Sequence, residues 1–137
     1  MAVDYVVVGA GSAGCVLAAR LSEGGANVVL LEAGPKDSNP MIHIPAGVRS
    51  LLYHPTVNWN YSSEPEEGSG GRRIHWPRGK TLGGSSSING MQYVRGNAAD
   101  YNGWAQRGCR GWSYDDVLPY FRKSENYKEG GDPEVRG

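Results

Sequence analysis

Residues 4–34 read DYVVVGAGSAGCVLAARLSEGGANVVLLEAG, and this stretch decides the fold. Tyr5, Val6, Val7 and Val8 make an apolar, β-branched run, the composition of a strand buried on both faces of a parallel sheet. Gly9, Gly11 and Gly14 follow as G-x-G-x-x-G, where that strand must turn into a helix. Gly14, Leu17, Ala18 and Leu21 then recur at i, i+3, i+4 and i+7, which gives one apolar helical face. Gly24 and Gly25 stop the helix, because glycine tolerates the left-handed conformation at a helix C-terminus. Val28, Val29, Leu30 and Leu31 form a second apolar strand, ending in Glu32, eighteen residues after Gly14.

Strand, glycine turn, helix, strand and acid at these spacings make a dinucleotide-binding unit. Gly9 permits the tight turn, Gly11 lets the backbone approach a pyrophosphate, and Gly14 lets helix and strand pack closely. The backbone N–H groups of Ser12, Ala13 and Gly14 then face the phosphates from the positive end of the helix dipole. Glu32 stands where a carboxylate accepts the two hydroxyls of an adenosine ribose, and it would repel a 2′-phosphate, which argues against NADP.

The 137 residues are the size of one ordinary domain. Fourteen basic and 14 acidic residues balance, so no field exists to draw in nucleic acid or anionic lipid. The 21 glycines cluster at turns and show no repeat. The first strand begins too near Met1 for a secretory signal, and no apolar run approaches the roughly 20 residues of a membrane span, so a cytoplasmic protein is expected. Cys15 and Cys109 fit no metal or redox spacing; Cys15, on the first helix, reads as a small buried thiol. His43, His54 and His75 share no ligand spacing, and no metal site is expected.

Pro35, Pro40, Pro45, Pro55, Pro65 and Pro77 make residues 35–78 a long excursion without long helices. Within it, residues 45–53 read as one short helix, Asn58-Trp59-Asn60-Tyr61 as extended or turn structure, 64–71 as a polar loop and 72–76 as a short strand. Residues 79–96 hold a second informative stretch. Gly83 and Gly84, then Ser85, Ser86 and Ser87, then an apolar run, read as a loop entering a helix, either a flexible linker or a second set of amides and hydroxyls for phosphate or a flavin ring. In residues 97–137, Asn97 with Asp100 caps a helix to about 107. Ser113 with Asp116 forms a capping box, stapled by Trp112 and Val117, for a helix to about 126 that Pro119 bends. The aromatics Trp104, Trp112, Tyr114, Tyr120 and Phe121 read as packing residues. The last ten residues read as a polar, turn-rich tail that closes nothing.

These motifs together resemble the glucose-methanol-choline (GMC) oxidoreductases, in particular their choline dehydrogenase and alcohol dehydrogenase branch. The resemblance rests on the glycine fingerprint, Glu32-Ala33-Gly34, Asn58-Trp59-Asn60-Tyr61, and residues 78–91, RGKTLGGSSSINGM. It extends through Tyr93-Val94-Arg95-Gly96-Asn97 and residues 112–122, WSYDDVLPYFR, and so covers the chain in order. The family implies FAD bound in extended form across a Rossmann-like α/β domain. Gly9, Gly11, Ser12, Ala13 and Gly14 would hold the pyrophosphate, and Glu32 with Ala33 the adenosine end. Arg78, Gly79, Gly83, Gly84 and Ser85 would run beside the pyrophosphate and the isoalloxazine, with Trp59 near the cofactor. Asn89, Gly90 and Met91 would lie at the reactive face of the ring.

The resemblance also implies oxidation of the CH–OH group of a small-molecule alcohol, with hydride passing to flavin N5. GMC-like lyases and photodecarboxylases share these motifs, and a non-catalytic nucleotide-binding fragment remains the reading from a different class. Some relatives carry a histidine just before the asparagine that attaches FAD covalently; here that position is Ile88, so the FAD is expected to be non-covalent. Relatives supply their catalytic histidine from a C-terminal part, and no residue of this chain is assigned as the base. Two parallel strands and one crossover do not complete a doubly wound sheet. The expectation is therefore the N-terminal part of an incomplete Rossmann-like FAD-binding domain: one piece of a nicked enzyme or one subunit of a naturally split one, either with a companion chain carrying the remainder, or a truncated piece of a longer chain.

Overall fold

In the computed structural model, which describes residues 2–137, β1 (Tyr5–Val8) leads into α1 (Ser12–Glu23) and the chain returns as β2 (Val28–Leu31). β1 and β2 pair in parallel with Tyr5 opposite Val28 and Val8 opposite Leu31. The pairing continues past both ends: Asp4 N–H donates to Asn27 O at 2.9 Å, and Gly9 N–H donates to Leu31 O at 2.7 Å. Asp4 Oδ2 accepts from Asn27 N–H at 2.8 Å, so the acid opening the chain ties down the turn before β2. Gly25, at φ +87°, takes the left-handed conformation that ends α1, as the glycine pair predicts.

The strands are not buried on both faces. Val6 is 58% and Val8 82% exposed. The residue composition anticipated a second covering layer, whereas α1 alone packs on this two-stranded sheet. On α1 itself, Gly14, Ala18 and Leu21 are half-buried and Leu17 stays exposed.

After β2 the prolines set the local structure. Pro40–His43 and Pro45–Gly47 are 3-10 turns, each with proline at its start, and the second runs directly into α2 (Val48–Leu51). The expected short helix is thus a 3-10 turn joined to one α-helical turn. β3 (Tyr61–Ser62) and β4 (His75–Trp76) pair antiparallel, so the strand expected over 72–76 is confined to its last two residues. Between them lies the glycine-rich loop, with a 3-10 turn at Glu67–Ser69.

The apolar core lies under this excursion. Leu51, Val57 and Ile88 are buried together, and Ile42 packs against them. The polar Asn58, 3% exposed, is fully satisfied there: Nδ2 donates to the carbonyls of Leu51 and Leu52, and Oδ1 accepts from Asn60 N–H at 2.9 Å and Arg78 N–H at 3.0 Å. One amide therefore joins the end of α2 to the segment following β4.

Where residues 79–96 were expected to hold a loop entering a helix, the structure holds one 3-10 turn, Gly84–Ser87, and no α-helix. Gly83 and Gly84 sit at φ +89° and +58°, outside the right-handed helical region. The hydroxyls of Ser86 and Ser87 donate back to the carbonyls of Gly83 and Leu82, a local alternative to helical bonding.

The chain divides into two compact units, Met1–Gln92 and Tyr93–Gly137. The second unit contains α3 (Ala98–Gln106) and α4 (Tyr114–Ser124). Asn97 Oδ1 caps α3 at Ala99 N–H, and Ser113 with Asp116 forms the reciprocal box that starts α4. Tyr101 packs edge-on against Trp104 and Phe121 and Trp104 against Trp112, so these aromatics pack on one another, whereas Tyr120, also expected to pack, is 73% exposed. The tail is stitched back onto its own unit. Glu125 accepts from Arg95 and Arg136, both at 2.6 Å, and Arg95 also donates to Val135 O. Burial alone would raise the Glu125 carboxyl, yet the two guanidinium groups hold it below the ordinary carboxylate range.

Among the described residues, no helix is long and apolar enough to cross a membrane, and no His, Cys, Asp and Glu cluster is grouped to hold a metal ion. Both cysteines are free thiols; Cys15 is half-buried and donates to Ala10 O at 3.3 Å.

Candidate functional site

The site grows from the loop between β1 and α1. Gly9, at φ +98°, turns the chain out of β1 in a conformation that disfavours any side chain. A Cβ on Gly14 would overlap the Gly9 carbonyl oxygen, so the first turn of α1 lies against the loop at a distance only glycine allows. Gly11 differs. A Cβ there would meet only Gly84 Cα, at 4.0 Å, so the space above Gly11 is left open by the protein. α1 starts at Ser12 with no side-chain cap, and its first N–H groups have no helical carbonyl to pair with. Open space over Gly11 and uncapped N–H groups together suit an anion.

Glu32 fixes this loop from the end of β2. Its Oε2 accepts from Ala10 N–H at 2.8 Å and its Oε1 from Gly34 N–H at 2.9 Å. The carboxylate thus clasps the glycine loop to the exit of β2, and each oxygen keeps a further lone pair for a ligand hydroxyl.

The second glycine stretch is laid directly on the first. Gly83 N–H donates to Ala10 O at 2.8 Å, Leu82 N–H to Pro35 O at 2.9 Å and Lys80 N–H to Val57 O at 2.8 Å. The buried Thr81 adds a hydroxyl bond to Pro35 O at 2.9 Å. A Cβ on Gly84 would come within 2.8 Å of Gly11 Cα, closer than real side chains approach. Cβ atoms on Gly79 and Gly34 would overlap the backbones of Gly84 and Lys80. Two loops about 70 residues apart in sequence therefore meet backbone to backbone, with no room for a side chain on Gly84 where it faces Gly11.

A cleft of about 600 Å³ opens along that seam, within the range of small-molecule sites. Of the residues singled out in the sequence, Gly9, Gly11, Glu32, Ala33, Trp59, Arg78, Gly79, Gly84 and Ser85 line it. Ser12, Ala13 and Gly14 stand beside it at the start of α1, and Gly83 holds the seam from below. Asn89 and Met91 are elsewhere: they border a smaller cavity of about 230 Å³ with Ile44, Val48 and Leu51. Gly90 lies between them and is exposed.

Val8, Leu31 and Tyr61 also line the cleft and were not among the expected cofactor-binding residues. Tyr61 stacks on Trp59, with ring centroids 5.7 Å apart and an interplanar angle of 6°. Asn60 between the two residues sits at φ +51°, so the pair is brought together by a left-handed turn and not by strand alternation. Lys80 Nζ lies 4.6 Å from the Trp59 ring centroid and Arg78 over Trp76 at 5.2 Å, so the aromatic wall carries positive charge.

The family model described as GMC oxidoreductase matches residues 3–134. Among curated relatives, the oxygen-dependent choline dehydrogenase of Brucella suis is 51% identical over the whole chain, and that of Vibrio vulnificus is 52% identical over 98% of it. The chain spans about a quarter of the length of these relatives, 25% and 24%. Among solved structures, pyridoxine 4-oxidase from Mesorbium loti superposes with a TM-score of 0.90 at 41% identity, covering 99% of this chain and 27% of that one. An Aspergillus oryzae formate oxidase superposes with a TM-score of 0.85 at 34% identity, covering 98% of this chain and 24% of that one. The fold is accordingly a partial Rossmann-like segment, and the chain belongs to the GMC oxidoreductase family.

Proposed function

We propose that this chain supplies the FAD-binding segment of a flavoenzyme that oxidises the CH–OH group of a small alcohol. The observation that carries the proposal is the seam: two glycine loops in backbone contact, with open space over Gly11 and Glu32 clasped beside it.

The residues present fit the cofactor. The N–H groups of Ser12, Ala13 and Gly14 would meet the pyrophosphate, where the helix dipole favours negative charge. Glu32 would accept the ribose hydroxyls with the lone pairs left by Ala10 and Gly34, and Ala33 would flank the adenosine. Trp59 and Tyr61 offer a flat wall beside it. Arg78, Gly79, Gly83, Gly84 and Ser85 would follow the pyrophosphate toward the ring, and Asn89, Gly90 and Met91, beside the neighbouring cavity, would lie at its reactive face. Bound there, FAD supplies an acceptor for the hydride of the alcohol carbon. The buried Ile88 has no nucleophile, so the cofactor is held without a covalent bond.

The names of two relatives include choline and pyridoxine, both of which carry an alcohol group. The proposal places substrate choice and the catalytic base in the part of the enzyme outside this chain. It includes a cytoplasmic location, in keeping with two cysteines carried as free thiols.

The test is anaerobic addition of alcohols to the complete flavoenzyme. Loss of the oxidised-flavin spectrum with at least one alcohol is expected. Bound flavin that no alcohol reduces would overturn the oxidoreductase reading and favour lyase chemistry on the same fold.

A further inference from the structure

The hydrogen bonds of β3 and β4 continue beyond both strands, so that residues 57–63 and 74–80 form one antiparallel ribbon. Lys80 N–H donates to Val57 O at 2.8 Å, Trp59 N–H to Arg78 O at 2.8 Å and Ser63 N–H to Ile74 O at 2.9 Å. Asn58 stands opposite Gly79 between the first two of these bonds. All of them keep the register in which Tyr61 faces Trp76.

At one level the ribbon departs from the regular ladder. A hydrogen-bonded antiparallel pair exchanges two backbone bonds, and Trp59 and Arg78 occupy such a position. The Arg78 N–H goes instead to Asn58 Oδ1 at 3.0 Å. The same oxygen accepts from Asn60 N–H at 2.9 Å, and Asn60 takes the left-handed conformation at φ +51°. Asn58 is anchored from the other side, because it is buried and its Nδ2 donates to the carbonyls of Leu51 and Leu52. Asn60 Nδ2 adds a bond to His54 O at 3.2 Å. The ribbon is therefore kinked at Asn60, and the residues on either side of the kink, Trp59 and Tyr61, stack with parallel rings and line the cleft.

We propose that the kink at Asn60, fixed from the core by Asn58, positions the aromatic wall of the cofactor cleft. Asn58 and Asn60 act through Trp59 and Tyr61, which makes them positioning residues. This role rests on the function proposed above. An extended residue at position 60 would carry Tyr61 off the Trp59 ring and return the Trp59 carbonyl to the ladder, where it competes with Asn58 for the Arg78 N–H. The left-handed region admits asparagine and glycine and resists a β-branched side chain, so residue choice at position 60 decides whether the wall forms.

The experiment compares Asn60→Gly with Asn60→Val in the full-length enzyme. Both substitutions remove the bond to His54 O, and they differ in their tolerance of positive φ. Titration of the flavin-free proteins with FAD should give a dissociation constant at least about tenfold higher for Asn60→Val than for Asn60→Gly. Near-ultraviolet circular dichroism of the same flavin-free proteins should keep the signal of the Trp59–Tyr61 stack in Asn60→Gly and lose it in Asn60→Val, with Tyr61→Leu identifying that signal. If Asn60→Val does not fold, Asn60→Ala takes its place, since alanine is also strained at φ +51° and should shift both readouts in the same direction. Equal FAD affinities in the two variants, or a stacking signal retained in both, would overturn the proposal and leave the FAD reading standing. A parent enzyme that takes up no FAD would refute that reading and this proposal with it.

Discussion

Gly11 and Gly14 belong to one fingerprint, yet the structure gives them separable roles, and substituting each by alanine tests the separation. At Gly14 a Cβ overlaps the Gly9 carbonyl oxygen, so α1 must retreat from β1 by on the order of 1 Å, an overpacking cost of ~1–3 kcal/mol. Alanine returns ~0.5–1 kcal/mol through its better helix propensity, leaving a net loss of about 1–2 kcal/mol. At Gly11, with φ −82° and ψ −169°, alanine fits the backbone and meets only Gly84 Cα at 4.0 Å. Folding then loses only the few tenths by which alanine is the poorer N-cap, roughly 0.5 kcal/mol. The new methyl instead fills the space offered to the pyrophosphate, and FAD affinity should fall at least about tenfold. Denaturant unfolding of the flavin-free full-length enzyme measures the first effect, and titration with FAD the second. Gly14→Ala should unfold at lower denaturant, and Gly11→Ala should unfold like the parent but bind FAD poorly. An unaltered midpoint in Gly14→Ala, or undiminished FAD affinity in Gly11→Ala, would refute the reasoning.

Three other predictions follow the same contacts. Asn58→Ala strands two carbonyls and two N–H groups in the core, so chemical denaturation should show a loss of about 2–4 kcal/mol. Glu32→Gln keeps the size of the clasp but offers one acceptor where Ala10 and Gly34 need two; titration should show FAD binding about tenfold weaker. Glu125 has its carboxyl lowered in the folded state, so its stabilisation is fully present above the ordinary value of 4.5 and fades as pH falls through the folded value. Glu125→Gln should therefore destabilise the protein at neutral pH, with the difference from the parent narrowing in acid, as thermal unfolding across pH would show.

What the sequence made legible was local. The run of Val6, Val7 and Val8, the glycine spacing and the i, i+3, i+4 pattern each report on a few neighbouring residues, and β1, α1 and β2 lie where they predict. The caps at Asn97 and Ser113 were legible for the same reason. The 3-10 turn at Gly84–Ser87 was not, because positive φ at Gly83 and Gly84 and the back-bonding serine hydroxyls outweigh an apolar pattern that otherwise suits a helix. The contact of Gly84 with Gly11, the clasp made by Glu32 and the four bonds of Asn58 are tertiary facts, invisible to periodicity. Tyr61 was overlooked because two residues of strand give no alternation to read.

The central claim is that the cleft along the glycine seam holds one dissociable FAD. Native mass spectrometry of the full-length enzyme, followed by a denatured spectrum of the same sample, tests it directly. A native mass exceeding the denatured mass by one FAD per protomer, with free FAD recovered, is the predicted result. An enzyme purified without flavin that takes up none when FAD is supplied would contradict the account, as would flavin that stays attached after denaturation.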